Sequence, residues 1–62
     1  SNIDTENAVT DRFSIHGEEA FSSVKDNTII ITWTSNDIAY TFVSHNLSLS
    51  DAKQIVSNIH QK

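Results

Sequence analysis

The side chains able to do chemistry are few and far apart along the chain. His16 precedes Glu18 and Glu19, His45 ends an apolar run, and His60 lies near the C-terminus. A His-x-x-x-His spacing would bring two imidazoles to one ion from a single helix face, and nothing comparable links these three. Spacing therefore predicts no metal site, and the histidines read as solvated polar groups. The absence of cysteine removes the commonest zinc ligand and any disulfide, and leaves the redox compartment open. Nine serines are present, yet a serine nucleophile needs a strained elbow, an oriented base and an oxyanion hole, and no such arrangement is visible. The one glycine, Gly17, cannot build a phosphate-cradling loop. Adjacent Glu18 and Glu19 on a strand would point to opposite faces, which is wrong for a paired acid and base. The residues thus predict no catalytic group, no metal and no cofactor, and a non-enzyme. A chain of 62 residues also has little material with which to wall a substrate pocket.

Charge narrows the partners. Eight acidic residues oppose four basic ones, and the excess sits in the first half, where Asp4, Glu6, Asp11, Glu18, Glu19 and Asp26 outnumber Arg12 and Lys25. In the second half Asp37 and Asp51 balance Lys53 and Lys62. Nucleic acids and anionic lipid surfaces attract clustered Lys and Arg, and no cluster exists, so neither is an expected partner. No apolar run approaches the ~20 residues of a membrane span, which argues against direct membrane insertion by this segment. Ser1-Asn2 reads as the residue of a cleaved expression tag, and the chain as a fragment of a larger protein.

The elements that would position any site follow from periodicity. Residues 1–11 are polar apart from Ile3, Ala8 and Val9, and read as a flexible or extended lead-in. Residues 12–62 read as a single domain. Phe13 and Ile15 share a face of a short strand, His16-Gly17-Glu18-Glu19 forms a turn, and Ala20 to Val24 makes a second strand weakened by Ser22 and Ser23. Lys25-Asp26-Asn27 is turn chemistry. The strongest signal is a hairpin: residues 28–34 and 38–44 are dense in β-branched and aromatic side chains and flank Ser35-Asn36-Asp37. With Asn36 and Asp37 at the tip, Trp33 faces Tyr40 and Ile31 faces Phe42, and Trp33 and Tyr40 read as core rather than as interface anchors.

A helix of about 13 residues follows, capped by Ser48, with Asp51 placed to complete a capping box and Leu47 to staple against Ala52. The Asn46-Leu47-Ser48 sequon is better explained by this capping than by glycosylation. Leu49, Ala52, Ile55, Val56 and Ile59 recur at helical spacing and are expected to lie on the Trp33 face, while His60 and Lys62 suit the negative end of the helix dipole. The fold class is α+β: an antiparallel β-meander of three to four strands followed by one amphipathic helix packed on one sheet face. The other face of the hairpin carries Ile30 and Val43 beside Ala39, Thr32 and Thr41, more apolar than a freely solvated face requires. These five residues are the candidate interface, for a protein partner, for self-association or for an apolar ligand.

Three stretches, 15–20 (IHGEEA), 31–40 (ITWTSNDIAY) and 47–56 (LSLSDAKQIV), resemble the closing half of an uncharacterised domain family of Gram-positive bacteria. Its members show an Ile-Asn-Gly turn, a Trp…Tyr hairpin and a terminal helix opening with Leu-Ser; here His16 replaces the usual Asn. The resemblance implies the extracytoplasmic, cell-surface side of a membrane-anchored parent, of the anti-sigma-factor-like or lipoprotein kind, and a distant likeness to lipoprotein-carrier folds. It carries over no functional residue. The resulting expectation is a non-catalytic interaction or sensing module; the alternative is a purely structural or oligomerising domain with no ligand.

Overall fold

The computed structural model describes residues 8–59. Alternating β-branched and aromatic residues, broken by pairs of turn-formers, fold into four strands: β1 (Val9–Ile15), β2 (Glu18–Lys25), β3 (Thr28–Ser35) and β4 (Ile38–His45). They pair in sequence order, each antiparallel to the next, as one open sheet. Each hairpin turns through two residues with positive φ: His16 and Gly17 (52° and 84°), Asp26 and Asn27 (52° and 64°), Asn36 and Asp37 (54° and 66°). Two successive left-handed residues form the type I′ turn, whose twist matches that of the strands, and Asn and Asp tolerate that conformation better than most L-residues. The third hairpin has the register read from the sequence, with Trp33 opposite Tyr40 and Ile31 opposite Phe42. Ser35 belongs to the strand rather than the turn, and β1 begins upstream of Arg12, at Val9.

The register sorts the side chains into two faces. One face takes Phe13 and Ile15 from β1, Ala20, Ser22 and Val24 from β2, Ile29, Ile31 and Trp33 from β3, and Tyr40 and Phe42 from β4. The helix α1 (Leu49–Ser57) lies on this face, over β3, and closes a core of Ile15, Ala20, Ile29, Ile31, Trp33, Ala52 and Val56. Trp33 is buried, and its ring stacks on that of Tyr40 with centroids 5.3 Å apart and planes 12° from parallel. Ser48 caps α1 as expected: its Oγ accepts from the Asp51 N–H at 3.0 Å. A second clamp is electrostatic, because Lys53 Nζ reaches Asp11 Oδ2 at 2.9 Å and sits 4.6 Å from the centre of the Phe13 ring.

The helix departs from the sequence reading in two ways. It spans nine residues, not about 13, and ends at Ser57, capped by Asn58, whose N–H donates to the carbonyls of Gln54 and Ile55. Its buried stripe is Ala52 and Val56 with Leu49 packed beside them, whereas Ile55 (43% exposed) and Ile59 (37% exposed) turn largely away from the strands. The physical reason is width: a single helix resting on one strand touches the sheet along an i, i+3 or i, i+4 line, so Leu49, Ala52 and Val56 fill the contact and leave Ile55 on the flank. His60 and Lys62, read as dipole partners, lie outside the described residues, as do residues 1–7 of the lead-in.

Candidate functional site

The sheet has a second face, on which no described element rests. Pairing places Thr10, Arg12 and Ser14 of β1 there, with Glu19, Phe21 and Ser23 of β2, Ile30, Thr32 and Thr34 of β3, and Ala39, Thr41, Val43 and His45 of β4. All five candidate interface residues, Ile30, Val43, Ala39, Thr32 and Thr41, therefore share this face. Ile30 and Val43 are directly opposed across β3 and β4 and are 39% and 52% exposed. Ala39 and Thr41 are also exposed, while Thr32 is half-buried between its neighbours.

The register adds one residue that the sequence reading left out. Phe21 lies opposite Thr32 in the next strand, on the same face as Ile30, and is 49% exposed. The signal for it existed: a two-residue Asp26-Asn27 loop sets Lys25 opposite Thr28, which brings Phe21 to Thr32. Reading Lys25 as part of the turn removed that information.

Around this apolar centre stand polar groups. Arg12 Nη1 meets Glu19 Oε2 at 3.2 Å across the β1–β2 ladder, with both side chains more than half exposed. Such an exposed pair contributes little to stability, so its effect on this face is local orientation. At the far corner Thr28 Oγ1 lies 3.1 Å from His45 Nδ1, opposite it in register. Two open depressions lie here, one of about 300 Å³ lined by Ser23, Lys25, Asp26, Thr28 and Ile30, and one of about 400 Å³ lined by Thr10, Asp11, Arg12 and Phe21.

The other chemically able residues stay apart. His16 is exposed in the first turn and His45 lies at the end of β4. Glu18 and Glu19 fall on opposite faces, as their adjacency on a strand requires. Among the described residues no three His, Asp or Glu side chains are grouped so as to hold a metal ion. Asp11 lies on the helix side, beside Lys53. The hydrogen bond from Lys53 holds its pKa below the ordinary carboxylate value, aided by a backbone hydrogen bond at Arg12 and by the Lys53 charge, against weak desolvation. That is the signature of an interelement clamp and not of a poised acid, because every dominant cause favours the charged form.

No helix among the described residues is long and apolar enough to cross a membrane. No curated protein and no solved structure matches the chain. A family model does, over residues 1–59, nearly the full length. The chain belongs to the family described as domain of unknown function DUF4367.

Proposed function

We propose that this domain is a non-catalytic protein-interaction module, and that the uncovered sheet face is its binding surface. The observation that carries the reading is the cluster of Phe21, Ile30 and Val43, three large apolar side chains left exposed on adjacent strands of one face. Single exposed hydrophobes are ordinary, but Ile30 and Val43 are directly opposed and Phe21 stands diagonal to Ile30 on the same face, so the three form a patch. Four strands of about eight residues give a face of roughly 500 Å², at the small end of what recognition surfaces use.

A protein partner suits the face better than a small apolar ligand. Sites for small ligands bury most of the ligand's surface in a concave cavity, whereas the two depressions here are open, separate, and each has a single large apolar wall residue. An apolar patch that is bordered by Arg12 and Glu19 on the β1–β2 side and by threonine hydroxyls along the strands fits the mixed apolar and polar make-up of a protein interface. In cellular terms we place the domain on the extracytoplasmic side of a membrane-anchored parent in Gram-positive bacteria, of the lipoprotein or anti-sigma-factor-like kind; the support is the resemblance of residues 15–20, 31–40 and 47–56.

Site-specific photocrosslinking in the parent protein on intact cells tests both parts. A photoreactive side chain at Phe21, Ile30 or Val43 is expected to capture one defined protein, and the same group at Gln54, on the exposed side of α1, is not. Equal labelling at all four positions would remove the binding-face assignment. Protection of the domain from externally added protease until the membrane is breached would remove the location.

A further inference from the structure

The two outer edges of the sheet are unlike each other. β1 carries Asp11 and Arg12, both held in ion pairs, so that edge is charged along its middle. β4 reads IAYTFVSH: seven successive residues without a charge, a proline, a glycine or a bulge before His45. Sheet edges exposed in this form are templates for another strand, and proteins normally blunt them with charge or proline. No strand among the described residues pairs with the outer side of β4.

The hydrogen-bonding phase of that edge can be worked out. The Asn46 N–H donates to the Asn27 carbonyl at 2.8 Å, in the register that puts Ser35 opposite Ile38. In an antiparallel ladder hydrogen-bonded pairs alternate with non-bonded ones, so Ile38, Tyr40, Phe42 and Ser44 spend their backbone groups on β3. Ala39, Thr41, Val43 and His45 direct theirs outward.

We propose that β4 pairs with β4 of a second copy of this chain, antiparallel about a two-fold axis, to make one eight-stranded sheet. Self-pairing fits on three counts. Strand length and outward hydrogen-bonding phase are matched by identity. The absence of charge removes like-charge contact along the seam. Setting Thr41 against its own counterpart also brings Ala39 opposite Val43 and Tyr40 opposite Phe42, so aromatic side chains meet on the helix side. Because only outward-facing residues can bond across the seam, opposed residues share a face, and both helices fall on the same side of the joined sheet. The seam, about 27 Å long by the thickness of the molecule, buries well under the ~1,200 Å² of a standard interface, so the association is of the weak, transient class. This inference rests on the strand edge and not on the open face proposed above for binding.

Sedimentation velocity of the 62-residue chain from 10 µM to 1 mM (roughly the span a small interface requires), with amide hydrogen exchange at both ends of that range, tests it. A monomer–dimer equilibrium is expected, with the amides of Ala39, Thr41 and Val43 gaining protection at high concentration while those of Tyr40, Phe42 and Ser44 are protected throughout. Thr41→Pro, which removes an outward donor and spares the β3 ladder, should weaken the dimer about tenfold or more, and Ile30→Lys should leave it intact. A monomer at every concentration, a dimer without the alternating protection, or one lost in Ile30→Lys but kept in Thr41→Pro would overturn the proposal. The exchange pattern needs no variant, so misfolding of Thr41→Pro does not protect the idea.

Discussion

The helix docks through Val56 and not through its neighbour Ile55, and the two residues offer a direct test of the core. Val56 is fully buried against the sheet, while Ile55 is 43% exposed. Val56→Thr keeps the shape and β-branching of the side chain but exchanges a methyl for a hydroxyl. Burying that hydroxyl among Ile29, Ile31 and Trp33 costs about 1–3 kcal/mol, the lower end applying if it bonds back to the Ala52 carbonyl one turn earlier. Scaling by chain length gives a total stability of only ~3–9 kcal/mol, so the loss is a large fraction of it. For a domain this small each kcal/mol moves the midpoint by about 4–8 °C, and a fall of about 10 °C is expected. Ile55→Lys can lay its stem along the surface and keep its ammonium in water, so its effect should stay within about 0.5 kcal/mol. Thermal and urea melts followed by Trp33 fluorescence give both numbers. If Ile55→Lys proves the more damaging of the pair, the helix is rotated relative to the sheet and the core described above is wrong.

Other consequences are equally accessible. Ser22 is buried on the helix face and its Oγ has no hydrogen-bond partner among the described residues, so Ser22→Ala should raise stability by about 1 kcal/mol in a urea titration; a loss instead would reveal a partner for the hydroxyl. Gly17 has φ of +84° and open space where a Cβ would sit, so Gly17→Ala is resisted by backbone strain alone and should lower stability by about 1 kcal/mol after allowing for the stiffer unfolded chain. Gly17→Asn should recover part of that, and equal melting of all three would refute a left-handed requirement at this position. The Asp11 carboxyl, held low by Lys53, adds stability that is present above its unfolded-state pKa and lost as pH falls through the folded one. Lys53→Met should therefore move the Asp11 NMR titration upward and flatten that acidic loss, and an unmoved midpoint would contradict the clamp.

How much of this fold the sequence makes legible depends on how local the deciding interactions are. The Asn36-Asp37 turn, the Trp33–Tyr40 and Ile31–Phe42 pairs and the Ser48 cap each involve residues close in the chain, so periodicity and turn chemistry are enough to place them. Pairing register then follows by counting from a two-residue loop. The helix surface that docks is decided by tertiary geometry: Ile55 and Val56 are equally apolar and adjacent, and only the width of contact with β3 separates them. The candidate face shows the same division. Ile30, Val43, Ala39, Thr32 and Thr41 are visible because the strongest hairpin fixes their parity, while Phe21 needs the register of β2, where Ser22 and Ser23 blur the alternation. Ser22 breaks the pattern because it occupies a core position, a local inconsistency of the kind that sequence reasoning reads as a weak strand.

The asymmetry of the sheet connects these points. A meander of four strands has two faces and two edges, and one nine-residue helix, about 13 Å long, can cover only one face and no edge. What remains open is treated unequally by the sequence. The β1 edge is charged, and threonines and the Arg12–Glu19 pair soften the periphery of the outer face. The same face keeps Phe21, Ile30 and Val43 exposed, and the β4 edge keeps a run of seven uncharged residues. Solubility and marginal stability would both be served by polar residues at these places, since exposed Ile, Val and Phe add nothing to the core of a chain this small. Their retention next to positions that do carry charge is physically intelligible if these surfaces are covered when the domain acts.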